Sequence, residues 1–131
     1  MAAPNIASLT TITGKTTYLT PSGTSAVVLL QNAASSNTVL KINQIVAANV
    51  NGTNAVDTTV AIYTNGGVAQ GSAPSGGTAF PIASTISVPA DASLIVADKT
   101  TQIYLEENTS IIVTSGTASG ITYSISYEIM S

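Results

Sequence analysis

A chain of 131 residues is long enough for one domain with one buried core. Its 3 basic and 6 acidic residues are 7 % of the chain, against roughly 25 % in an average soluble protein. The cations Lys15, Lys41 and Lys99 are scattered, too few to displace counterions from a phosphate backbone, so no nucleic-acid partner is expected. The absence of cysteine and histidine excludes a disulfide framework, a thiolate zinc site, a Ser-His-Asp triad and a Cys-His pair.

Hydroxyls stand in for charge: 16 Ser and 20 Thr exceed a quarter of the chain. Such a surface stays wet, yet charge repulsion does not keep copies apart, and little is lost when it is desolvated. Tight assembly is a natural use for it, and a low-charge monomer is equally compatible.

In chain order, "MAAPNIASLT" has neither the cationic nor the apolar region of a secretory signal, so synthesis in a reducing cytoplasm without export is expected. Ile6, Leu9 and Ile12 recur by three, and residues 1–13 are expected to form an N-terminal arm or edge strand. "TPSG" at 20–23 is a turn. "SAVVLLQN" is a short apolar run, the pattern of a strand covered on both sides. Its "AVVLL" is far below the roughly 18 to 20 residues that span a bilayer, so no membrane partner is expected. It is also too apolar for a free edge, so cover by other chains is expected.

"NTVLKINQIVAANV" alternates through Leu40 and Ile42 and then doubles Ile45 with Val46, which predicts a bulge or a strand end covered on both faces. Asn51-Gly52 predicts a tight hairpin turn at positive φ. "DTTVAIYT" puts Val60 and Ile62 on one face, and "NGGVAQGSAPSGG" at 65–77 reads as a surface loop. Gly71, Gly76 and Thr78 in that loop superficially copy a phosphate loop but lack its lysine.

"VPAD" at 88–91 is a turn, and "ASLIVAD" is a second run expected to be covered on both sides. In "TQIYLEE", Ile103 and Leu105 oppose Gln102, Tyr104 and Glu106; in "TSIIVTS", Ile111 and Val113 point inward. "SGTASG" at 115–120 is a turn. "ITYSISYEIM" alternates strictly, with Ile121, Tyr123, Ile125, Tyr127 and Ile129 inward. No helical periodicity occurs. About eight to nine short strands predict a single-domain, all-β, antiparallel sandwich or jelly roll over residues 1–131.

Candidate chemistry is thin, and no catalytic, cofactor or metal residue is assigned. Glu106 and Glu107 are adjacent on a strand, so they point to opposite faces and cannot form the carboxylate pair, roughly 5 to 9.5 Å apart, that glycoside hydrolysis needs. They read as the solvated end of a hairpin. Asp91 and Asp98 flank "ASLIVA" too far apart to build a calcium loop, although a shared ion at a subunit interface is compatible with them. The "NGT" at 51 and "NTS" at 108 match a glycosylation sequon at positions where turns are needed anyway. A carbohydrate-binding module would use an exposed ring, and Tyr18, Tyr63, Tyr104 and Phe80 are the platforms available; Tyr123 and Tyr127 follow the core phase.

"TTITGKTTYLTPSG", "VLKINQIVAANVNGTNA" and the stretch from "ISVPADASLIVADKTTQIYLEENTSIIVTSG" to "ITYSISYEIMS" resemble small virion structural proteins of tailed phages, the marine cyanophage type. The likeness covers nearly the whole chain, in strand and turn patterns without a catalytic signature. It implies a non-enzymatic particle component made in the host cytoplasm and located in the virion, most simply a head decoration or cement protein. Other virion proteins, above all the major capsid protein, and further copies of the chain in a trimer or similar homo-oligomer are the implied partners. A neck, collar or tail-fibre position, or a carbohydrate-binding receptor role, is the alternative.

Overall fold

A computed structural model describes residues 4–131 as an all-β, nine-stranded antiparallel structure in two sheets, the sandwich the alternation predicts. The strands are β1 (Ile12–Leu19), β2 (Val27–Asn32), β3 (Val39–Asn49), β4 (Val56–Tyr63), β5 (Ala79–Val88), β6 (Ser93–Ala97), β7 (Ile103–Leu105), β8 (Thr109–Ser115) and β9 (Ile121–Met130). One sheet runs β1-β9-β3-β6, with β7 also paired to β3; the other runs β2-β8-β4-β5. β6 and β7 pair with successive parts of β3, so they act as two halves of one strand. Counted that way, eight strands in this order make a jelly roll.

The core lies between the sheets. Leu29, Ile42, Ile45, Val60, Ile111, Ile121 and Ile125 meet there with Tyr123, each fully buried. A fully buried side chain of this kind contributes about 1.5–3 kcal/mol. The outer face of the second sheet carries a smaller cluster, Val28, Ala61, Tyr63 and Ile112, packed by Ala26 and by Val68 from the 65–77 loop. Being covered on both sides is what makes β2 read as an unbroken apolar run, and it buries Ile112 of β8 as well as the inward Ile111 and Val113.

That loop also closes the free edge of β2. Val28 donates to the Ser72 carbonyl at 3.0 Å and accepts from the Gly71 amide at 2.8 Å. The Gln70 amide donates to the Leu29 carbonyl and the Thr17 hydroxyl, both at 3.0 Å, tying β2 to β1. The expectation that another chain covers "AVVLL" is therefore corrected: its own chain does so.

Three further expectations change. Asn51-Gly52 is not a hairpin turn, and neither residue has positive φ. The 50–55 segment carries the chain from the first sheet to the second, because β3 and β4 are not neighbours. Asn side chains replace the turn's backbone bonds: Asn51 Oδ1 accepts from the amides of Thr53 at 2.9 Å and Asn54 at 3.1 Å, and Asn49 Oδ1 accepts from Asn51 at 2.8 Å. β6 is open on its outer side, where Ile95 is 58 % exposed, because no element covers that face. The arm is shorter than expected: residues 4–11 are mostly irregular, and the edge strand begins at Ile12 and pairs with β9. Residues 1–3 of the expected arm lie outside the described residues.

Candidate functional site

β3 carries a bulge, at Asn43 and not at the Ile45-Val46 doubling where one was expected, and it aims a side chain. Against β9, Ile42 pairs with Tyr127 and Gln44 with Ser126, leaving Asn43 as the extra residue. The insertion lets Ile42 and Ile45, three apart, both face the core. It also turns Asn43 into a groove of about 520 Å³ on the outer side of the first sheet, within the range typical of small-ligand sites. Gln44, Ser126 and the turn Asp98-Lys99-Thr100 complete its lining. A second groove, of about 350 Å³, shares Asn43 and Ser126 and adds Lys15, Thr16 and Glu128.

The polar groups here are tied to one another. Gln102 Nε2 donates to Asn43 Oδ1 at 3.2 Å, and Asn43 Nδ2 donates to Glu128 Oε1 at 3.4 Å, a row crossing three neighbouring segments. The hydroxyls of Thr16 and Ser126 are 3.0 Å apart. Thr100 donates to Asp98 Oδ1 through its hydroxyl at 2.5 Å and its amide at 2.8 Å, and these bonds hold the Asp98 carboxyl below its ordinary range. Tyr104, 49 % exposed, stands two residues from Gln102 on the same outward side of β7 and opposite Lys41.

A second feature is apolar. β5 is an edge strand whose residues are exposed except Ala83 and Val88. Phe80 pairs with Ile62 and Ile86 with Thr58, so both face the core side, yet they are 57 % and 41 % exposed. The opposite sheet ends there in the short β6 and leaves them uncovered. No charged residue occurs from Thr58 to Ala90.

The individual candidates separate clearly. Glu106 is exposed, as expected, but Glu106-Glu107 is a corner between sheets and not a hairpin end, since β7 and β8 belong to different sheets. Glu107 is not solvated: both carboxylate oxygens are buried without a hydrogen-bond partner among the described residues. Asp91 and Asp98 sit at opposite ends of β6, and among the described residues no group of three acidic side chains is placed to hold a metal. Tyr18, Tyr104 and Phe80 are exposed rings. Tyr63 is buried, its hydroxyl accepting from the Gly77 amide at 2.9 Å, which removes it from the possible platforms. Tyr123 is core, as its phase predicts, and Tyr127 is half-buried beside it; burial raises the pKa of both phenols.

Sequence reasoning missed the groove, although two signals pointed to it: the break of alternation between Ile42 and Ile45 that marks the bulge and the outward phase of Gln102 and Tyr104. No family model, curated relative or solved structure matches the chain.

Proposed function

We propose that the protein is a non-enzymatic structural component of a tailed-phage virion, a head decoration or cement protein bound to the assembled capsid. The observation that carries this reading is the uncharged β5 edge with Phe80 and Ile86 facing an open flank. An exposed apolar edge strand is a liability in a free monomer and an asset in a subunit that packs against neighbours. The jelly roll supports it, being an architecture of viral capsid and lectin domains among others. So does the likeness of the strand-and-turn segments to virion structural proteins.

With few charges available, hydroxyl and backbone hydrogen bonds around an apolar centre would hold such an interface. Raising the ionic strength screens charges and leaves apolar burial intact. Particles washed in molar NaCl and sedimented are expected to retain the chain, and Phe80→Lys is expected to prevent its incorporation while leaving the soluble fold unchanged. Release by salt alone, or virions without the chain, would defeat the reading.

A further inference from the structure

We propose that the groove around Asn43 binds a neutral saccharide, with Tyr104 as the stacking surface beside it. The inference goes beyond capsid attachment and concerns the outer face of the first sheet, whereas the apolar flank of β5 belongs to the inner face of the second.

The first argument is the placement of charge. Only 9 side chains of the chain are charged, the sum of 3 basic and 6 acidic residues. Lys99 and Asp98 line the main groove, Lys15 and Glu128 line its extension, and Lys41 pairs with both Glu128 and Tyr104 in strand register. All three lysines and two of the six acidic residues of a fold that otherwise uses hydroxyls thus lie at this groove or beside it.

The second argument is the balance of hydrogen-bonding groups. The lysines only donate and the carboxylates only accept, while the amides of Asn43, Gln44 and Gln102 do both. Sugar hydroxyls also donate and accept, so this mixture suits vicinal hydroxyl pairs. Carboxylates inside the groove disfavour phosphate and sulfate ligands, and the near-cancellation of charge gives no preference for a strongly cationic one. Tyr104 adds the flat apolar surface on which a pyranose ring stacks.

The third argument is preorganisation. The Gln102–Asn43–Glu128 row fixes the central amide, and the β3 bulge aims it out of the sheet. Bulges recur beside functional sites because they re-aim a side chain in this way. Groups already held in position lose less entropy on binding.

The test is an amide NMR titration of the whole chain with oligosaccharides of glucose, galactose, mannose and N-acetylglucosamine at millimolar concentration. At least one is expected to produce saturable shifts at Asn43, Gln44, the 98–104 segment and Ser126. Tyr104→Ala and Asn43→Ala are each expected to weaken binding at least about tenfold with the rest of the spectrum preserved. Should Asn43→Ala fail to fold, Asp98→Asn, in an exposed turn, serves in its place. No saturable shift with any of the four, shifts elsewhere on the protein, or affinity unaltered in the variants would overturn the proposal; so would binding confined to sulfated or sialylated glycans. Particle retention in salt reports on the β5 flank alone, so the two readings fail separately.

Discussion

The Tyr123 phenol and the Thr58 hydroxyl are hydrogen-bonded in the interior between the sheets, joining β9 of one to β4 of the other. The same phenol donates to the Thr114 carbonyl of β8 at 2.8 Å. Two asparagines make similar cross-links. Asn32 Nδ2 on β2 donates to the Leu105 carbonyl of β7 at 3.0 Å, and Asn49 Nδ2 on β3 donates to the Val88 carbonyl of β5 at 2.8 Å. Apolar burial holds two sheets together without specifying how they are aligned; three buried polar ties specify it.

Removing one hydroxyl from such a tie leaves its partners unpaired. Tyr123→Phe is expected to keep the packing and to lower unfolding stability by about 1–3 kcal/mol, measured by urea denaturation. A change within about 0.5 kcal/mol would mean that the Thr58 hydroxyl finds another partner at no cost.

The same residue sets a pH dependence. Burial pushes the Tyr123 phenol up to about 12, against the opposing pull of the Thr58 bond, while its ordinary value is 10.0. The folded state therefore holds this proton more tightly than the unfolded state. That contribution is fully present below pH 10.0, declines above it, and is lost as pH rises through about 12. Stability measured against pH is expected to fall more steeply over this window in the native protein than in Tyr123→Phe. Parallel curves would show that the phenol titrates normally.

Two glycines in apparently similar turns are expected to differ. A Cβ on Gly66 would lie 2.1 Å from the Asn32 carbonyl oxygen and 2.9 Å from the Thr109 amide nitrogen, both backbone atoms. Gly66→Ala is expected to cost about 3 kcal/mol or to detach the 65–77 loop from β2, visible as early proteolysis within the loop. A Cβ on Gly52 would meet only the Asp91 carboxylate at 3.8 Å, an ordinary contact, and its φ is not positive. Gly52→Ala is expected to be neutral or to stabilise by up to about 1 kcal/mol in thermal unfolding. The reverse ranking would contradict the placement of both loops.

Legibility follows burial. β9 and β7 alternate in sequence because one face of each meets the core, and β2 is a continuous run because both its faces are covered. β1 and β5 have no such signature: as edge strands they are mostly exposed, and no alternation marks them as strands. Asn51-Gly52 misleads because the hairpin rule assumes that consecutive strands are neighbours, which a jelly roll denies for β3 and β4. The groove was hidden for a related reason. Asn43, Gln102, Ser126 and Asp98 come from separate parts of the chain, and only the sheet order brings them together.

The last expectation concerns Thr85, a β-branched residue held at φ 51° in the left-handed region. It lies where β5 bulges against β4, between Ala83 opposite Val60 and Ile86 opposite Thr58. Its amide donates to the Thr59 hydroxyl at 3.0 Å, a bond that does not depend on the Thr85 side chain. The left-handed backbone costs such a residue about 1–2 kcal/mol, and glycine would relieve it while losing about 0.5–1 kcal/mol in chain entropy. Thr85→Gly is therefore expected to raise stability by up to about 1 kcal/mol in urea unfolding. A bulge also twists an edge strand away from indiscriminate pairing. Destabilisation by Thr85→Gly would show that the threonine side chain itself holds the bulge, and that the edge is shaped by a contact of that hydroxyl or methyl rather than by backbone strain.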